Sequence, residues 1–258
     1  MTSEDRKIDA NSAPLVEHLV EFRRCLIASL VAFFIAFMIC FMIKDYILDI
    51  LLLPYQWAMK FFNESPENIR LQSTQVLETF LTKLKISAFG GVILAFPYIA
   101  FQFYCFIAPG LYKNERIMFL PFLIATPVLF LIGAAVVYCL IAPFILWFSL
   151  SQQIMPNGHF QIEFVAKISE YLDFMTSFIL SFGLIFQLPV ATSILTRVGF
   201  LTSDMLVSVR RLAIVVIFVM AAMITPIDLF SMFGLAFPTI LLYEISIFLA
   251  RRIEKKQR

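Results

Sequence analysis

The chain has 258 residues, 61% of them hydrophobic and 16% aromatic, with only 15% charged and a formal net charge of +2. A soluble domain is about a quarter charged, so this composition excludes an ordinary soluble protein, and the near-balanced charge excludes a basic nucleic-acid binder. The charges are also clustered, because no Asp, Glu, Lys or Arg occurs in 86–112, 117–162, 174–196, 212–227 or 229–243. Apolar runs of about 20 residues cross a hydrocarbon core of ~30 Å, so the sequence predicts an all-α, multi-span membrane protein forming one domain over 1–258.

The N-terminal segment, 1–23, carries five acids (Glu4, Asp5, Asp9, Glu17 and Glu21) and no small-x-small cleavage pattern follows the first apolar run. That is unlike a cleaved leader, and Leu26–Ile43 is expected to stay in the membrane. Reading the uncharged runs as helices predicts six spans, near 24–43, 79–108, 117–150, 168–197, 208–224 and 227–250. An even number places both termini on one side. Most of the 20 Lys and Arg residues fall in the N-terminal segment, the turns at 109–116 and 197–211, and the tail at 251–258. Basic residues are retained in the cytoplasm, so both ends are expected there.

The first outer connection, 44–78, contains "DYILDILLLPYQWAMKFF". It reads as an amphipathic helix at the periplasmic interface, too broken by Pro54 to span, with Tyr46, Tyr55 and Trp57 at headgroup depth. The second, "SQQIMPNGHFQIEF", is turn-rich around Pro156-Asn157-Gly158. The third span would be ~50 Å long if straight, so Pro121, Pro127 and Pro143 are expected kink points. The last two helices are expected to be short: Leu212–Thr225 supplies only ~20 Å before the turn "TPID". This predicts a thin wall there.

Enzyme chemistry finds no footing. The two histidines, His18 and His159, fall outside the spans, and no H-E-x-x-H, G-x-S-x-G or P-loop occurs. The four cysteines (Cys25, Cys40, Cys105 and Cys139) form no C-x-x-C pair and read as free structural thiols, so no metal or cofactor is expected. What remains is polar groups at membrane depth, which are costly and therefore candidates. Gln187, in "IFQLPVA", either satisfies a carbonyl freed by Pro189 or a neighbouring helix, or forms a hydrogen-bonding site reached from a cavity. Glu244 is expected to snorkel or pair near the inner surface.

Two inner carboxylates stand at starts of spans: Glu21 before Arg23-Arg24, and Glu115 before Arg116. Either the helix dipole alone favours them there, or they await an external guanidinium, which grips a carboxylate with two parallel hydrogen bonds.

Four segments carry a family resemblance. "EHLVEFRRCL", "FIAPGLYKNER", "FQLPVA" and "ITPIDLFS" are similar, in this order, to motifs of TatC, the multi-span core of the twin-arginine protein translocase. The resemblance covers about 12–250. It implies a receptor in the bacterial inner membrane that binds twin-arginine signal peptides at the cytoplasmic face. With small single-span TatA/TatB-type subunits and further copies of itself, such a receptor exports folded proteins using the proton-motive force. It implies that Glu21 and Glu115 meet the arginine pair, with Arg23 and Arg116 shaping the local charge and Phe106, Pro109 and Leu111 setting the inner turn. Pro54, Gln187 and Asp228 match family positions with structural or translocation roles. The chain departs from the pattern at Gln187, commonly Glu, which removes any proton carrier there, and at Met232, often Gln. A secondary transporter of a small solute is the alternative, but it would call for inverted repeats and several polar groups at the midplane, which the sequence lacks; a purely structural scaffold is a third reading.

Overall fold

The computed structural model describes residues 3–60, 72–73, 76–107, 113–151, 167–224 and 229–257, with side chains from residue 19 onward except at 107, 113–120, 230 and 256–257. In chain order the helices are α1 (Ser3–Met42), α2 (Lys44–Lys60), α3 (Glu78–Ile107), α4 (Lys113–Val136), a π-helical turn (Val137–Ile141), α5 (Ala142–Ser151), α6 (Ile168–Ile185), α7 (Leu188–Val198), α8 (Ser203–Ser208), α9 (Arg210–Ile224) and α10 (Leu229–Gln257). Among the described residues the only non-helical pairing is an isolated bridge between Gln72 and Lys167.

Among the described residues, five segments are long and apolar enough to cross a membrane: Leu19–Met42, Glu78–Phe106, Pro121–Ser151, Ile168–Val198 and Ser231–Lys255. The predicted span at 208–224 is α9, whose 15 residues give ~22 Å and fall short of that length. Its neighbour corrects the expectation of two short final helices. α10 runs for 29 residues, because the helix-favouring tail "ARRIEKKQ" continues the spiral beyond the apolar segment. The predicted helix over 168–197 is also divided, into α6 and α7.

Of the three expected kink points, Pro143 is the one with a visible accommodation. Proline lacks the N–H that would bond four residues back and clashes with that carbonyl. Here the preceding turn widens to π-helical geometry, with the Ala142 N–H reaching Val137 O, which relieves the ladder just ahead of the ring.

The core centres on α6. Tyr171, Met175, Phe178 and Phe182 recur at helical spacing and are buried along one stripe. Residues of α2, α3, α5, α9 and α10 pack around it. The largest interface joins α1 and α3, where Gly91 lets the backbones approach: a Cβ on it would stand 3.0 Å from the Phe37 backbone. The opposite face of α1, including Leu30, Phe34, Ile35 and Met38, is about half exposed or more, an apolar area suited to lipid.

The two ends of the bundle differ. At one, acids and bases cancel locally: Lys83 pairs with Asp45 at 2.7 Å and Lys85 with Asp173 at 2.9 Å. There the buried Glu78 carboxylate accepts hydrogen bonds from Ser169 Oγ at 2.6 Å and Ser73 Oγ at 3.5 Å. The other end gathers Arg23, Arg24, Arg197, Arg210, Arg211, Arg251 and Arg252. Glu244 pairs there with Arg210, the outcome expected of it. α7 closes at that end on Gly199, whose φ of 84° is open to glycine at no steric cost.

Candidate functional site

At the arginine-rich end, α1 and α3 run antiparallel and bring two of the sequence motifs together. Phe22, of "EHLVEFRRCL", packs on Phe106, of "FIAPGLYKNER", with ring centroids 5.3 Å apart. Glu21 and Arg23 flank Phe22 on exposed positions of α1. Beneath the ring pair lies a cavity of 160 Å³ lined mainly by Phe22, Cys25, Leu26, Ile99, Phe103 and Phe106. Ser29 and Gln102 also line it, the latter held by donating Nε2 to Tyr98 Oη at 2.6 Å. The arrangement places an exposed carboxylate position, Glu21, next in sequence to Phe22, which lines an apolar slot. Glu115 and Arg116 lie in the first turns of α4, with side chains outside the described residues; Pro109, Leu111 and Asp228 lie outside them altogether.

Pro54 has a legible role at the opposite end. It sits inside α2 and is fully buried. Without an N–H it leaves the Ile50 carbonyl, one turn back, without a helix donor. Tyr138, from the π-helical turn, supplies that donor: its hydroxyl reaches Ile50 O at 2.6 Å. The next carbonyl, Leu51 O, accepts from the Tyr171 hydroxyl at 2.7 Å. Edge-on contacts of Trp57 with Tyr138 and of Tyr55 with Tyr171 complete the joint. Thus α2 is pinned to the bundle at the break its proline creates. Neither tyrosine stood out in the sequence; the available signal was a hydroxyl within an otherwise apolar run, which needs a partner when buried.

Gln187 occupies the break between α6 and α7. Its backbone N–H tightens to Leu184 O at 2.9 Å, three residues back, which releases the Gly183 carbonyl that a continuous helix would have used. The side-chain amide replaces the lost donor, giving Nε2 to Gly183 O at 3.2 Å and to Thr126 O on α4 at 3.1 Å. The amide thus bonds a neighbouring helix, as one form of the structural reading expects; the other form is corrected, because the carbonyl it satisfies one turn back is that of Gly183 and not the Ile185 carbonyl four residues before Pro189. Gly183 is also where Phe130 of α4 approaches, its ring filling the space a Cβ would take. One polar atom is left over: Gln187 Oε1 is buried with no hydrogen-bond partner among the described residues.

The chain as a whole is similar to known proteins. The family model "Sec-independent protein translocase protein (TatC)" matches residues 17–238. Among similar proteins, TatC of Magnetococcus marinus is 38% identical over 245 residues, covering 95% of this chain and 86% of that protein. TatC of Halothiobacillus neapolitanus is 35% identical over 94% of this chain, which spans 63% of that longer protein. A crystal structure of the twin-arginine translocase receptor TatC superposes with a TM-score of 0.79 at 32% identity, covering 92% of this chain and 99% of that one.

Proposed function

We propose that this chain, which belongs to the TatC family of Sec-independent protein translocase proteins, binds twin-arginine signal peptides at the cytoplasmic face of the bacterial inner membrane. As a translocase component it is a transport subunit and not an enzyme. In this reading α9 is the fifth of six spans, crossing where the bilayer is thin, and both termini are cytoplasmic. The Arg-rich end of the bundle is then the inner one, in keeping with the retention of basic residues in the cytoplasm.

The observation that carries the reading is the Phe22–Phe106 contact. It ties the motif holding Glu21 and Arg23 to the one holding Pro109, Leu111, Glu115 and Arg116, so two acids come from adjoining segments of a surface otherwise rich in arginine. A peptide with two consecutive arginines is repelled by most of that surface and attracted only where carboxylates interrupt it. Glu21 and Glu115 take the guanidinium groups, which bind carboxylates with two parallel hydrogen bonds. The apolar cavity beneath Phe22 and Phe106 receives an apolar side chain of the same peptide. Translocation follows with TatA/TatB-type single-span subunits and further copies of this chain, driven by the proton-motive force. Gln187 carries no proton in that process; it holds a helix break, while Asp228 serves the turn before α10.

Export of a folded reporter bearing a twin-arginine signal peptide tests the assignment. Glu115→Lys should abolish export while the protein still accumulates in the membrane. Wild-type export by that variant would remove Glu115 from the site.

A further inference from the structure

The end of α10 holds a second charged feature that signal-peptide binding does not use. Helical spacing puts Phe248, Arg251, Arg252 and Lys255 on one stripe, at intervals of three, four and seven residues. Ile247 and Ala250, on the other side of the same turns, are buried against the bundle with Leu206 of α8. The stripe borders a cavity of 750 Å³ whose facing wall includes Ser203 and Asp204 of α8.

The nearest acid on α10 is already committed. Glu254 accepts from the Ser203 N–H at 2.6 Å and the Ser203 hydroxyl at 2.5 Å, so both its oxygens are turned to α8. Asp204 lines the cavity but makes no ion pair with the three cations among the described residues. Arg252 rests over the Phe248 ring at 4.5 Å, which leaves its N–H groups available. Arg210, by contrast, has its own carboxylate in Glu244. Three cations without a carboxylate thus border a cavity where an apolar span ends, with an exposed aromatic ring directly above them.

We propose that this cavity is a binding site for an anionic phosphate group, held by Arg251, Arg252 and Lys255 and positioned to take the headgroup of an anionic phospholipid. Arginine presents its N–H groups to a phosphate as a planar fork, and lysine adds a point charge. Phe248, half exposed one turn further into the apolar segment, lies where the upper part of an acyl chain would run. A free phosphate has the same headgroup chemistry but makes no use of Phe248. The site is independent of the signal-peptide reading, since none of its residues belongs to the Glu21–Phe106 region.

The test uses the full-length chain purified in neutral detergent and titrated separately with phosphatidylglycerol, phosphatidylcholine and inorganic phosphate. Native mass spectrometry counts retained lipid, and thermal unfolding reports binding by all three. The wild type should retain one phosphatidylglycerol in preference to phosphatidylcholine. Arg251→Gln, Arg252→Gln and Lys255→Gln should each weaken retention by about fivefold, and together should abolish it. Arg24→Gln with Arg211→Gln, which removes two cations from the same end, should leave it unchanged. Inorganic phosphate that displaces the lipid and depends on the same three residues would assign the site to the free anion; failure to displace it assigns the lipid. Phosphatidylglycerol retained by the triple variant as by the wild type, or equal retention of both lipids, would overturn the proposal. Should the triple variant fail to fold, the graded single variants decide it.

Discussion

The joint at Pro54 makes a quantitative prediction about Tyr138. Tyr138→Phe keeps the ring against Trp57, 5.7 Å away, and removes only the hydroxyl that reaches Ile50 O at 2.6 Å. The lost hydrogen bond and the stranded carbonyl together cost about 1–3 kcal/mol, toward the lower end where the unfolded chain in the micelle also finds partners for these groups. Pro54→Ala restores an N–H at residue 54, which can bond Ile50 O within α2 and leave the tyrosine redundant. In that background Tyr138→Phe should cost less than about 0.5 kcal/mol, giving a coupling of about 0.5 kcal/mol or more. Pro54→Ala sacrifices packing at a fully buried position, but the double-mutant cycle cancels that loss. The assay is equilibrium unfolding of the purified protein in detergent micelles for the wild type, both single variants and the double variant. An equal cost of Tyr138→Phe with and without the proline would mean that the tyrosine does not replace the donor missing at Pro54.

Two further outcomes follow from the geometry. Gln187→Met strands Gly183 O, at about 1–3 kcal/mol, and gives up the bond to Thr126 O, but also removes the buried unpartnered Oε1, which carries a cost of similar size. The net change in unfolding free energy should be within about 1 kcal/mol, and a loss of several kcal/mol would mean Oε1 has a partner of consequence. The Asp45 carboxyl is held below its ordinary range, chiefly by the hydrogen bond from Lys83. A carboxylate with a depressed folded-state pKa stabilises the fold above its unfolded pKa, and that contribution disappears as pH falls through the depressed value. The difference in unfolding midpoint between wild type and Asp45→Asn should therefore shrink on acidification from about pH 6 to about pH 3. The pair is exposed, so the effect is small, and a difference that grows toward acid would contradict the pairing.

The spans were legible because length and hydropathy determine what a bilayer accepts, and the uncharged runs map onto α1, α3, the α4–α5 rod, the α6–α7 rod and α10. Helix ends were less so. The tail "ARRIEKKQ" lacks apolar periodicity, yet its helix-favouring residues extend α10 by a docked turn that Glu254 fastens to Ser203. Pro54 marked a break in an outer helix, but the hydroxyls that mend it come from residues 88 and 120 positions away in sequence, a distance no local pattern spans. The same limit hid Thr126 as the acceptor for Gln187. Of the candidate site, it was the family resemblance that implied one region for Glu21 and Phe106, while the Phe22–Phe106 contact and the cavity below it depend on the α1–α3 crossing.

In the proposed function Glu21 and Glu115 receive the same arginine pair. Photo-crosslinking residues placed singly at these two positions, in membranes supplied with a twin-arginine precursor, test it most directly. Both positions should capture the peptide at its arginine region, and capture should vanish when the two arginines are replaced by lysines. Capture of that region from Asp45 or Asp173 at the opposite end of the bundle, with none from Glu21 or Glu115, would place the arginine site elsewhere.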